Sequence, residues 1–205
     1  SDVEFRKAQD PRLSEKIDTT NKPLATAEVI KQAINAGAMP VQLSHIQLGP
    51  WASPDEKGYG DGPQFSEYVV FQYGIIVNPV TGCRFVNELS DRKILSDKLL
   101  SVGHPCIGLA DLKAVENSGW NIDRCMKKKV VRKFKTIEEL AAFYKIPFKK
   151  LKETLKEFNK SFEEGVDKSF GKPLIKNAAP IVNLPYYGIR LWPKVHFTMG
   201  GIRIN

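Results

Sequence analysis

At 205 residues with 42% apolar side chains, the chain can bury a real core and suits one domain, or one domain with part of another. Its formal net charge of +8 comes mostly from lysines, and no apolar run reaches the roughly eighteen residues of a membrane span. No signal-peptide pattern opens the chain, no C-x-x-C joins its three cysteines, and its aromatics read as core rather than a stacking platform. Membrane spanning, a disulfide scaffold, a zinc site, a c-type haem attachment and nucleic-acid binding are therefore disfavoured, while a basic field can still draw in a small dianion. Cys83, Cys106 and Cys125 read as small buried apolar residues, and Ser1-Asp2-Val3, without a Met, reads as a processed or cut end.

In chain order, residues 1 to 22 are polar, with short helices expected at Glu4 to Gln9 and Pro11 to Lys16. Ala27 to Gly37 is an amphipathic helix with Val29, Ile30, Ala33 and Ile34 on one face and Gly37 as its cap. Val41 to Leu48 alternates and predicts one strand. Residues 49 to 64 are rich in Gly and Pro and predict a mobile loop. Glu67 to Asn78 predicts a helical turn and then a strand, with Arg84-Phe85-Val86 pairing back as a hairpin. Ser90 or Asp91 caps a helix through Leu100. A short buried strand over Cys106 to Leu109, helices over Ala110 to Asn117 and Asn121 to Lys128, and a strand over Val130 to Phe134 follow.

Thr136-Ile137-Glu138-Glu139 is a capping box opening a helix to Tyr144. Pro147 starts a longer helix to Glu164, with Phe148, Leu151, Leu155, Phe158 and Phe162 at helical spacing and its lysines on a solvated face. After a broken loop, Tyr186 to Trp192 predicts a strand. Strands and helices interleave without a βαβ rhythm, so the expected class is α+β, mixed small sheets packed with helices.

The most informative stretch is Trp192-Pro193-Lys194-Val195-His196-Phe197-Thr198-Met199-Gly200-Gly201-Ile202-Arg203-Ile204. Its glycine pair before an alternating strand allows positive φ and close backbone approach to a flat partner. His196 stands near enough to touch the same partner. The plain alternative is a bulge beside a core histidine.

His196-Phe197-Thr198-Met199-Gly200-Gly201 resembles a motif of fumarate reductase and succinate dehydrogenase flavoproteins, above all the soluble flavocytochrome c fumarate reductases. Gly82-Cys83-Arg84-Phe85-Val86-Asn87-Glu88 with Arg92 resembles a second motif of that family, in the family's order. Thr136 to Asn159 resembles a third stretch. This resemblance implies a capping, substrate-clamping domain inserted into an FAD-binding domain, because the sequence holds no G-x-G-x-x-G fingerprint. It implies a flanking piece of the FAD-binding domain at 1–40, the capping domain at 41–190, and a return strand at 191–205.

The same resemblance implies an FAD-dependent oxidoreductase that reduces the C=C bond of fumarate or a related α,β-unsaturated carboxylate. Arg92 would give the proton, and Glu67 would resupply it. His196, Ser66, Thr198 and Trp51 would meet the substrate, and Met199, Gly200 and Gly201 would line the flavin; no metal is implied. FAD belongs to the full-length protein and is not expected on this piece alone, which is expected to be inactive. The implied partners are a small carboxylate, the flavin domain of the same parent chain, and a haem or flavin electron donor. The compartment is periplasmic for a flavocytochrome c parent and cytoplasmic otherwise.

Two departures alter that pattern. The family's His-Pro-Thr, whose His also holds substrate, reads Gly49-Pro50-Trp51 here, with His45 four residues earlier. The family's relay arginine is Val70. Gly49 predicts cleared space and Trp51 an aromatic wall, suiting a larger or less charged 2-enoate such as an aryl or imidazolyl acrylate. The other readings are a non-catalytic binding module and a flavin dehydrogenase of a different substrate.

Overall fold

A computed structural model describes residues 2–204. The chain opens with α1 (Val3–Gln9), whose first turn is capped by the Asp2 carboxylate accepting from the Phe5 N–H at 2.8 Å. Next come α2 (Glu28–Asn35), β1 (Pro40–Val41) and β2 (Ile46–Gly49). A continuous helical stretch follows: α3 (Gly62–Phe65), a π-helical turn (Ser66–Val70) and α4 (Phe71–Tyr73), leading into β3 (Ile75–Val77). Then come α5 (Arg92–Val102), β4 (Cys106–Asp111), α6 (Leu112–Ser118), α7 (Asp123–Lys127), β5 (Val131–Phe134), α8 (Ile137–Tyr144) and α9 (Phe148–Glu164). The chain closes with β6 (Tyr186–Leu191), β7 (Lys194–Thr198) and β8 (Gly201–Ile202).

The central sheet runs β3-β4-β6-β5, antiparallel throughout. Every residue of β4 is buried because helices cover both faces. One face packs Phe65, Val69, Leu95, Leu99 and Ile189. The other packs Leu140 of α8 and Leu151, Leu155 and Phe158 of α9. Helix α9 was legible for that reason: one stripe is apolar, and Gly165 closes the helix in the left-handed region at φ 72°. The class is α+β, as expected, and its antiparallel pairing explains the missing βαβ rhythm.

The terminal segments pair separately, β1 with β8 and β2 with β7, around a small core of Leu13, Ile17, Leu48 and Val195. Several expectations change here. Residues 11–16 are turn rather than helix, because the Arg6 guanidinium takes the carbonyls of Leu13 and Ser14 at 2.9 Å each. The single strand expected from Val41 to Leu48 breaks at Gln42, at φ 51°, leaving two short strands. Helix α2 buries none of its residues in this chain, and Val29 is 82% exposed. Cys106 and Cys125 are buried as expected, whereas Cys83 is exposed.

The loop expected to be mobile is packed. Trp51, Ala52, Ser53 and Asp61 are buried. The Glu56 carboxylate accepts the N–H groups of Asp61 and Gly62 at 2.8 and 2.7 Å. The buried Lys194 ammonium donates to the carbonyls of Glu56 and Gly58.

Candidate functional site

Three backbone irregularities meet at one place. In the β2–β7 ladder Gln47 faces Phe197 and Leu48 faces Val195, so His196 is the extra residue of a β-bulge. A bulge re-aims its side chain, and the segment before α2 then fixes the ring. The Thr20 hydroxyl lies 2.8 Å from His196 Nδ1, and the Asn21 amide donates to the His196 carbonyl at 2.7 Å. A hydroxyl donating to Nδ1 leaves the proton on Nε2, where a carboxylate can accept it.

The second irregularity is the π turn, which carries Glu67; such turns recur at functional sites. The third is the start of α5. Asp91 caps that helix by accepting from the N–H groups of Lys93 and Ile94, and Arg92 is its first residue. The Arg92 guanidinium reaches Glu67 Oε1 at 3.4 Å and Gln47 Oε1 at 3.2 Å. Trp51, Glu67 and Arg92 line one cavity of about 210 Å³.

The loop before Arg92 is anchored by a buried charge cluster. Arg84 bonds Glu88 through two nitrogens, at 3.0 and 2.8 Å, and Asp167 at 2.9 Å. Its guanidinium lies 4.8 Å from the Phe158 ring and 5.0 Å from the Phe170 ring. Lys172 joins the cluster 3.6 Å from Glu88, and burial pushes its ammonium down to about 8. Arg84 and Glu88 are thus the framework of their motif, which holds Arg92 at the cavity.

Trp51 is 2% exposed and meets His196 edge-on at a ring distance of 5.1 Å. Its indole N–H is buried without a hydrogen-bond partner among the described residues. A Cβ added at Gly49 would stand 2.7 Å from the Trp51 ring. The space expected beside Gly49 is therefore filled by Trp51 itself, and the expectation of cleared volume for a bulky substrate is corrected. His45 does not replace the missing histidine here. It lines a different cavity, with Ser96 and Met199.

Electrostatics tie the site together. Burial lowers the His196 imidazole below its ordinary value, the Arg92 charge lowers it further, and Glu67 offsets part of the shift. Arg92, Glu67, Trp51 and His196 therefore form one neighbourhood. Ser66 lies outside it: the side chain is fully buried and its hydroxyl donates to the Gly62 carbonyl at 3.0 Å. Thr198 pairs with Ile46 in the ladder and opens onto another cavity. Thr20, Asn21 and Gln47 were not legible as site residues, because none stands in a motif: Thr20 and Asn21 reach His196 from the segment before α2, and Gln47 is placed by the pairing of β2 with β7.

The glycine pair divides in role. A Cβ at Gly200 would lie 2.0 Å from the Gln42 carbonyl oxygen, so the chain's own backbone demands that glycine. A Cβ at Gly201 would meet nothing within 4 Å, and Met199 is 64% exposed. This open, partly apolar edge fits one wall of a flat aromatic cofactor. The sequence itself holds no glycine-rich turn to cradle that cofactor's phosphates. Cys106 and Cys125 are pushed by burial up to about 12 and about 11, which removes them as nucleophiles.

Known proteins are similar to this chain in sequence and in fold. The acrylate reductase flavoprotein subunit of Shewanella woodyi is 37% identical over 99% of this chain and 41% of its own length. The cytochrome-type fumarate reductase of Shewanella frigidimarina is 32% identical over 96% of this chain and 33% of its own length. The open conformation of a flavocytochrome c3 fumarate reductase superposes with a TM-score of 0.79 at 24% identity, over 100% of this chain and 35% of that one. The chain thus spans well under half the length of these relatives. Its residues 8–205 match the family model described as FAD binding domain, and the chain belongs to that family of flavoproteins.

Proposed function

We propose that the parent flavoprotein reduces the C=C bond of a small 2-enoate, with acrylate as the substrate that fits best. The observation that carries this reading is the Arg92–Glu67 pair at 3.4 Å beside Trp51, in the cavity of about 210 Å³. FAD, when bound by the parent, supplies hydride to one alkene carbon. Met199 and Gly201 are the residues of this chain that would line it.

Arg92 holds the proton destined for the other alkene carbon. Arginine is a poor acid in water, with a pKa above about 12, so this role needs a desolvated site and an adjacent proton source. Glu67 is that source, and its carboxylate is 34% exposed, within reach of solvent protons without a relay arginine at Val70. The Arg92 side chain is 45% exposed in this chain, so its desolvation must come from the rest of the parent. His196 donates from Nε2 to the substrate carboxylate, which keeps a desolvated anion paired. Hydride and proton together convert the alkene to the saturated acid.

Trp51 decides between substrates. Where the related pattern has a second histidine, Trp51 fills the space over Gly49. The second carboxylate of fumarate loses a donor there, and no room opens for an aryl group. The 37% identity with an acrylate reductase subunit supports the same choice.

The division into flanks at 1–40 and 191–205 and a cap at 41–190 is part of the proposal. It is supported by the separate pairing of β1 with β8 and by the small core of the terminal segments. The flank ends Ser1 and Asn205 lie outside the described residues. Leu24, Val29, Met39, Met199 and Ile204 are exposed, and the flavin domain of the same parent would cover them. Electrons would reach the flavin from a haem or flavin donor. The test is anaerobic stopped-flow reoxidation of the reduced parent by acrylate. Rapid return of the oxidised flavin band supports the proposal, and no return at millimolar acrylate refutes it.

A further inference from the structure

We propose that Tyr59 is a specificity-determining residue of this site, held by Lys194 so that its ring excludes acids bulkier than a three-carbon 2-enoate. The inference rests on the reading of the site as a small-2-enoate reductase. Tyr59 belongs to none of the motifs, yet its ring stands 5.1 Å from Trp51 and 6.4 Å from His196. The three rings make one aromatic wall. The phenol is pushed up by burial, further by Glu67 and Tyr68, and back down by Arg92, which places it in the field of the proton-handling pair.

The loop that presents Tyr59 is built for rigidity. Gly58 and Gly60 flank it in the left-handed region, at φ 65° and 72°. A Cβ on Gly60 would fall 1.9 Å from the Glu56 carboxyl carbon, and that carboxylate is already committed to the N–H groups of Asp61 and Gly62. The Lys194 ammonium, 1% exposed, bonds the carbonyls of Glu56 and Gly58 and lies 3.2 Å from Asp18. A buried cation is costly to desolvate, so a lysine placed under one loop signals a position that must not drift. Lys194 stands two residues before His196 on β7, so one strand positions both the carboxylate donor and the loop above it. Lys194 is a positioning residue, because its ammonium meets the carbonyls of the Tyr59 loop and Asp18 rather than the cavity itself.

The test uses the full-length, FAD-loaded parent and the ratio of kcat/KM for acrylate to that for cinnamate. Y59A lowers this ratio by about tenfold or more, the scale on which pocket shape discriminates apolar groups. Y59F keeps the ring and retains the wild-type ratio. K194M moves the ratio in the same direction as Y59A without touching Tyr59. Flavin content and Tm confirm folding, and Y59A decides alone if K194M does not fold. A Y59A ratio within about threefold of wild type, in a folded flavoprotein, overturns the proposal.

The two readings fail separately. Wild type preferring fumarate defeats the reading of acrylate as the best substrate, while the Y59A ratio still decides the role of Tyr59. If wild type reduces no 2-enoate, the same ratio is read from the Kd values of propionate and 3-phenylpropionate by flavin absorbance change. Y59A must then narrow that ratio, and an unchanged ratio overturns the proposal.

Discussion

His196 shows how much of the proposed chemistry rests on single side chains. Its ring is held by Thr20, crossed edge-on by Trp51 and disfavoured as a cation by burial and the Arg92 charge. Burial and Arg92 hold it below its ordinary value, so a ring-proton or ring-nitrogen NMR titration should give a midpoint under 6.5. The unfolded chain then binds more protons than the folded one in that window. The contribution of His196 to stability is therefore intact above about pH 6.5 and falls as pH drops below it. H196Q should flatten that part of the acid limb, and a midpoint above 6.5 would contradict the assignment. At Arg92 the expected loss is kinetic: R92Q in the loaded parent should lower kcat by about 10²–10⁴-fold with FAD content unchanged. Stopped-flow reoxidation of the flavin measures it, and a loss under about tenfold would remove Arg92 as the acid.

At the scale of elements, the site depends on irregularities that no periodicity announces. Helices α8 and α9 were legible because the capping box at Thr136 and the Leu151–Leu155–Phe158 stripe are local signals. A bulge beside the histidine is the plain reading of that stretch, but its place at His196 and the π turn under Glu67 were not legible, because pairing with β2 and packing on the central sheet fix them. The Gly-rich loop misled for the same reason: its composition reads as freedom, while Lys194 and Glu56 tie it from a distance. The resemblance singled out Arg92, Glu67 and His196, but their supporting residues Thr20, Asn21 and Gln47 emerge only in three dimensions. The buried cluster before α5 carries its own prediction. E88Q leaves Arg84 and Lys172 under-compensated in the core and should destabilise the chain by about 3–5 kcal/mol. The shift in urea midpoint, at unchanged slope, measures it.

At the scale of the whole molecule, the proposed clamp needs a flavin domain against the terminal segments, where Leu24, Val29, Met39, Met199 and Ile204 are exposed. The phosphate-cradling turn is absent from this sequence, so the purified 205-residue chain should carry no stoichiometric flavin band near 450 nm. A stoichiometric band would place the FAD site within these residues. The central claim is that Trp51, by filling the space over Gly49, fits this site to a small monocarboxylate. The most direct measurement is kcat/KM for acrylate and for fumarate in the FAD-loaded parent, with reduced viologen as donor. Loss of one donor to a desolvated carboxylate costs about 1.5–3 kcal/mol, so acrylate should lead fumarate by at least about tenfold. A higher kcat/KM for fumarate would contradict the account.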